Sequence, residues 1–175
     1  MGDRLGRILI TSEEITERVR ELGAEIGRDY DGVELLLVGV LKGAVVFLAD
    51  LMRAIPISVA CDFMGVSSYG VGKSSSGVVK ITADLSQSIE GCHVLLVEDI
   101  IDTGRTIRYL KRNLETRRPA SLKICTLLDK LDRREVEVRL DYVGFRIPDE
   151  FVVGYGLDAA GLYRNLPYIA ALETD

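Results

Sequence analysis

Nine residues, Glu98 to Thr106, hold the densest chemistry of the chain. They read EDIIDTGRT and follow the apolar run VLLV at 94–97. Three carboxylates, a glycine, an arginine and two threonine hydroxyls fall within that span. A continuous apolar run suits a strand covered on both faces, as in a parallel sheet, and it places Glu98 and Asp99 at the strand's carboxyl end. Ligands of open α/β sheets bind in the crevice beyond such ends. Asp102-Thr103-Gly104-Arg105-Thr106 reads as the turn into a helix, whose first N–H groups favour anions. Glycine lets the backbone close round a phosphate, and the threonine hydroxyls add donors. The carboxylates repel phosphate, but they accept hydrogen bonds from hydroxyls and attract Mg²⁺. A ligand that meets both demands carries a phosphate close to sugar hydroxyls, and a ribose 5-phosphate fits. Helix capping by Asp and Thr explains part of the stretch. It does not explain Glu98, Asp99, Asp102 and Arg105 together.

The surrounding pattern supplies elements to position this stretch. Thr11 with Glu14 forms a capping box ahead of Ile15, Val19, Leu22 and Ile26 at helical spacing. VELLLVGV (33–40) is a buried strand, AVVFLADLMRAI (44–55) a helix stopped by Pro56, and ISVACDFM (57–64) a second strand. GVSSYGVGKSSSG (65–77) has five serines and four glycines and reads as a flexible loop. VVKIT and HVLLV resume strands, and IRYLKRNLETRR (107–118) is a helix. SLKICTLLD, DYVGF, FVVGY and YIAALE read as later short strands. Strand–helix alternation predicts an α/β fold: a mostly parallel twisted sheet flanked by helices. Neither an internal repeat nor a domain linker is visible, so residues 1–175 read as one domain.

Length and composition agree. A chain of 175 residues can bury about 70% of its unfolded surface. Net charge is −5, which lends no bulk support to nucleic-acid binding. Cys61, Cys92 and Cys125 lie in apolar stretches without a CxxC, and read as buried, reduced thiols. The N-terminus lacks a signal-peptide core, and no apolar run reaches membrane-span length. A soluble cytoplasmic protein is expected. His93, the single histidine, reads as structural.

Three motifs fail on context. Gly72-Lys73-Ser74 resembles the end of a phosphate-binding P-loop, but Ser67 stands where the pattern needs glycine. Gly154 to Ala159 matches a dinucleotide fingerprint on paper, yet Pro167 interrupts the helix it would have to open. VLLVED resembles the acidic pair of a response-regulator receiver, but Arg146 occupies the phospho-acceptor position.

EDIIDTGRT after a hydrophobic strand resembles the phosphoribosyl pyrophosphate motif of the type I phosphoribosyltransferases. LVGVLKGA (37–44), DFMGVSSYG (62–70), LLDK (127–130), and DEFVVGYGLD with YRNLPYI (149–169) resemble the bacterial hypoxanthine/guanine phosphoribosyltransferases. The resemblance runs from about residue 8 to 172, in family order. It implies transfer of a 5-phosphoribosyl group to N9 of hypoxanthine or guanine, with Mg²⁺. It also implies a small hood built from the N- and C-terminal segments. In that family Glu98 and Asp99 hold the ribose hydroxyls and help position Mg²⁺, with Asp158 binding a second ion. Asp102 faces N7 as general base or acid, and Thr103, Gly104, Arg105 and Thr106 cradle the 5-phosphate. The Leu41–Lys42 peptide resembles the pyrophosphate loop of that family, where a non-proline cis bond occurs, and the resemblance implies that Lys42, Gly43 and Arg164 meet pyrophosphate. It implies that Ile100, Lys130, Phe151, Val152 and Asp158 surround the purine. It makes the 65–77 segment the expected lid, with Ser68 and Tyr69 as its tip contacts. A homo-oligomer, dimer or tetramer, is implied too.

The purine pocket also makes physical sense. Phe151 offers a ring on which a purine can stack. The Val152 backbone can accept from a ring N–H or a 2-amino group. Lys130 offers only donors, so it pairs with a 6-oxo group and not with the 6-amino group of adenine. Read singly, Phe151 is core, and Lys130, Asp158 and Lys42 are surface or turn residues. Only the family order overrides that. The chain departs from the bacterial pattern at LDAAGLYRN, where Ala159, Gly161 and Leu162 replace an aromatic and a charged residue. A rival reading is an RNA-binding regulator that keeps the fold and senses the ligand. It needs a basic face and a pyrimidine pocket, against which the net charge and the Lys130/Phe151 pair argue. A xanthine- or adenine-preferring transferase is the rival among enzymes.

Overall fold

The computed structural model describes residues 4–68 and 79–173. Most of the expected lid, including Tyr69, and the Gly72-Lys73-Ser74 motif lie outside the described residues. Ser68 is described only as the last residue of a strand.

In chain order the elements are β1 (Arg4–Ile10), α1 (Ser12–Asp29), β2 (Leu35–Leu41), α2 (Val45–Ala54), β3 (Val59–Ser68) and β4 (Val79–Ala83). They continue with β5 (His93–Ile101), α3 (Arg105–Glu115), β6 (Ser121–Asp129), β7 (Tyr142–Arg146), β8 (Val152–Val153) and β9 (Ile169–Glu173). The main sheet has the order β4-β3-β2-β5-β6-β7. Its neighbours run parallel except β3 with β4, so the mostly parallel expectation holds, with an antiparallel edge.

Period-two alternation divides the buried strands between two layers. Leu95 and Val97 of β5 face α1 and α2, against Ile15, Leu22, Phe47 and Leu51. Val94 and Leu96 face α3, against Ile107, Leu110 and Leu114. Both faces are covered, which is why β2 and β5 read as continuous apolar runs. The Thr11–Glu14 capping box is present in both directions.

A second, antiparallel sheet has the order β1-β9-β8. It joins the N- and C-terminal segments, as expected of a hood. Its first strand is not legible in RLGRILI. Gly6 and two arginines break the alternation, and the pairing with β9 is irregular.

Other expectations need correction. β5 does not end at Val97 but runs to Ile101, because β6 pairs beside it as far as Ile101↔Asp129. Glu98 and Asp99 are therefore strand residues. FVVGY shrinks to two strand residues, since Gly154 and Tyr155 take positive φ angles of 102° and 49°. Of the three free cysteines only Cys125 is buried; Cys61 is exposed and Cys92 partly so. No helix among the described residues is long and apolar enough to cross a membrane.

Phe47 is fully buried between α2 and the sheet. Phe47→Ala should cost about 3–5 kcal/mol of stability, from lost transfer energy and the cavity left behind. A urea titration that leaves the midpoint unchanged would contradict this packing.

Candidate active site

The loops that follow β2 and β5 meet at the carboxyl ends of the parallel strands, beside the end of β6, and a third loop, after β8, lies on the first. Parallel register brings them together: Gly39 lies beside Val97, and Ile101 beside Asp129.

The first loop follows β2. The Leu41–Lys42 peptide is cis, as the family pattern implies. Lys42 is exposed, and Gly43 lies directly on Asp99. A Cβ on Gly43 would fall 1.7 Å from Asp99 Oδ2, so no other residue fits there without moving the carboxylate.

The second loop leaves β5. Glu98 is buried, and Asp99 is partly so. Burial, and then the neighbouring Asp99 charge, hold the Glu98 carboxyl well above the usual carboxylate range. Burial raises Asp99 as well, opposed by its hydrogen bonds and by the Arg164 charge. Hard oxygen donors of this kind suit Mg²⁺, which takes one or two carboxylates and completes its shell with water and ligand oxygens. Glu98, Asp99 and Asp158 do not converge as a three-residue metal cluster among the described residues. The pair and Asp158 stand as separate donors.

Beyond Glu98, residues 100–104 with Thr106 and Ile107 line a cavity of about 100 Å³. α3 opens there without a side-chain cap, on Gly104 at φ 85°. The first-turn N–H groups of a helix have no intrahelical partner. The cavity at this helix start is small, polar and suited to an anion. A Cβ on Gly104 would sit 2.9 Å from Arg134 Cδ. Arg105 turns its guanidinium to Glu135 at 2.5 Å, so in this structure it serves the loop's outer wall.

The third loop, residues 154–158, lies across the first. A Cβ on Gly156 would fall 2.2 Å from the Gly43 carbonyl. Tyr155 donates its hydroxyl to Asp50 on α2 at 2.5 Å and so ties the loop down. Arg164 donates to the Gly156 carbonyl at 2.6 Å and pairs with Asp158 at 2.8 Å. Asp158 also accepts from the Gly161 N–H at 2.7 Å. The departing segment Ala159–Leu162 is a turn closed by hydrogen bonds between its end residues, with Leu162 63% exposed.

Lys130 and Phe151, two of the expected purine contacts, depart from what each residue suggests when read singly. Lys130 follows β6 and bonds through its backbone N–H to the Ile101 carbonyl at 3.0 Å, next to Asp102. Its side chain is buried, against the surface expectation for a lone lysine. Phe151 is 55% exposed, against the core expectation, and its ring is open for stacking. Leu172 donates to the Phe151 carbonyl, so by antiparallel alternation Val152 and Ala171 form a non-bonded pair. The Val152 N–H and C=O thus point away from β9, at the edge of the small sheet.

Sequence reasoning missed the acid–base frame around this pocket. Asp129 is 3% exposed and pairs with Arg134, whose Nε also donates to the Asp102 carbonyl at 3.2 Å. Glu135 and Val136 donate to the Thr103 carbonyl. The charge density of DKLDRRE was the available signal.

With this geometry in place, the likeness to known proteins is specific. The "Phosphoribosyl transferase domain" family matches residues 10–160. The "Hypoxanthine-guanine phosphoribosyltransferase" of Mycobacterium avium is 54% identical over 172 residues, covering 95% of this chain and 85% of the relative. The "Bifunctional protein TilS/HprT" of Listeria monocytogenes (serotype 4b, strain F2365) is 51% identical over 175 residues, all of this chain. The chain spans 27% of that relative's length. The crystal structure of a hypoxanthine phosphoribosyltransferase from Staphylococcus aureus superposes with a TM-score of 0.92 at 49% identity, covering 97% of this chain and 92% of that one. The chain belongs to the phosphoribosyltransferase family, in the branch that the hypoxanthine-guanine enzymes define.

Gly43→Ala should force the 41–44 loop off Asp99 and cost about 1–3 kcal/mol. A variant with an unchanged urea midpoint would show that the loop yields freely.

Proposed function

We propose that the chain transfers the 5-phosphoribosyl group from phosphoribosyl pyrophosphate to N9 of hypoxanthine or guanine. The products are the nucleoside 5′-monophosphate and pyrophosphate, a purine-salvage reaction. The observation that carries this reading is the burial of the Lys130 side chain, on a residue whose backbone N–H bonds to Ile101, next to Asp102, with the exposed Phe151 ring and the free Val152 backbone edge as the other parts of the proposed base pocket. The reading takes residues 1–175 as one catalytic domain, acting in the cytoplasm as a homo-oligomer. Val45 and Met52, exposed on α2, supply apolar surface for an interface.

In this reading the cavity at the start of α3 takes the 5-phosphate, and Glu98 and Asp99 accept from the ribose hydroxyls. The bond from C1′ to the pyrophosphate oxygen breaks as the bond to N9 forms, and positive charge builds on the ring. Asp102 takes the N7 proton. Lys42 and Arg164 stabilise charge on the departing pyrophosphate, with Arg164 released from Asp158. Glu98 and Asp99 would hold one Mg²⁺ and Asp158 a second, each with ligand oxygens, and the bound ions would supply further neutralisation of that anion. Phe151 stacks on the base, Val152 accepts from its N–H groups, and Ile100 packs beside it. Lys130 donates to O6. Adenine would leave that buried donor unpaired, at a cost of about 1–3 kcal/mol, or roughly ten- to a hundredfold. Closure over the site, assigned to Ser68 and Tyr69, would keep water from the charged ribose.

The test mixes protein, phosphoribosyl pyrophosphate and Mg²⁺ with each of hypoxanthine, guanine, xanthine and adenine, and follows nucleotide formation. Turnover with hypoxanthine or guanine is expected, falling about 10²–10⁴-fold in Asp102→Asn. Lys130→Ala should lose most of the preference over adenine. Absence of turnover with every base would overturn the reading.

A further inference from the structure

Arg133 and Asp149 have no part in the reaction just described, yet they join its two base-recognising groups. Asp149 Oδ1 lies 3.8 Å from the buried Lys130 Nζ, and its Oδ2 lies 3.5 Å from Arg133 Nη1. The same guanidinium places Nε 3.2 Å from Asp102 Oδ1. That contact is off the line of a hydrogen bond, so Asp102 Oδ1 is shielded from solvent and still lacks a donor. The four charges alternate in sign: ammonium, carboxylate, guanidinium, carboxylate.

The ends of this chain are the two groups that would meet adjacent atoms of the purine edge. Lys130 would donate to O6, and Asp102 would accept from N7. Neither end is rigid by itself. Lys130 sits on a flexible four-carbon stem. Asp102 lies in a loop between β5 and α3. The middle of the chain stands on firmer ground. Arg133 belongs to a short 3-10 turn, Leu131–Arg133, whose end is hydrogen-bonded back to Lys130 at 3.1 Å.

We propose that Arg133 and Asp149 are positioning residues that set the spacing between Lys130 and Asp102, and so set the preference for a 6-oxopurine. This rests on the proposed transferase reading. When a purine enters, the outer contacts give way to O6 and N7–H, and the central Arg133–Asp149 pair persists. Asp149 also gives the buried Lys130 ammonium a counter-charge while the pocket is empty. An ion left unpaired in such a place is costly. The remaining charges around Asp102 are committed elsewhere: Arg134 to Asp129, Arg105 to Glu135.

The test compares wild type with Arg133→Gln, Arg133→Lys and Asp149→Asn in the full chain. It measures KM and kcat for hypoxanthine, adenine and phosphoribosyl pyrophosphate. In Arg133→Gln and Asp149→Asn, KM for hypoxanthine should rise about three- to tenfold, the scale of two half-exposed ion pairs. KM for phosphoribosyl pyrophosphate should stay within about twofold. Discrimination against adenine should narrow, and Arg133→Lys should recover part of the loss. A merely structural role would raise both KM values or lower kcat for every base alike, and that pattern would overturn the proposal, as would wild-type constants in both variants. Should Arg133→Gln fail to fold, Asp149→Asn carries the same expectation from an exposed loop. Wild type inactive with every base would instead sink the transferase reading.

Discussion

The contact between Gly43 and the Asp99 carboxylate is the constraint on which the site depends. Two acids at the end of a buried strand are unfavourable unless something offsets their burial and mutual repulsion. Here the Gly43 backbone closes over Asp99 with no Cβ in between. A second glycine, Gly156, brings the third loop onto the carbonyl of the first. Two close backbone approaches thus stack three loops from distant parts of the sequence. The acids remain in a polar crevice ready for hydroxyls or a cation.

The two sheets divide the labour. The parallel sheet presents the small cavity at the start of α3, the acid pair, Asp102 and Lys130 from the ends of adjacent strands. The antiparallel sheet carries the Phe151 ring and the Val152 backbone edge. Its first and last strands come from opposite ends of the described chain and pair with one another. The Arg7–Glu150 ion pair crosses the same joint.

Around Lys130 and Asp102, charge is organised in a layer of alternating sign. Asp129 is nearly inaccessible and holds Arg134, which in turn holds the backbone of Asp102. Arg133 and Asp149 link the side chains of Asp102 and Lys130. The surface pairs are individually weak. Their value lies in geometry: they keep a flexible lysine and a loop aspartate at fixed positions relative to one another.

Much of this was legible in the residues themselves. Local physics determined the capping box at Thr11, the buried strands β2, β5 and β6, the stop at Pro56, and the phosphate-and-hydroxyl demands of EDIIDTGRT. These depend on neighbours three or four positions away, or on one covered face. Tertiary structure decided the rest. Strand β1 forms only because β9 is there to pair with an irregular segment. β5 continues through its own acids because β6 supplies hydrogen bonds beside them. Lys130 is buried, Phe151 exposed and Arg133 set against Asp102 through contacts between distant segments, which no local pattern encodes. A charge's partner and a ring's exposure are properties of what packs against them, and the sequence alone specified those only through the completed fold.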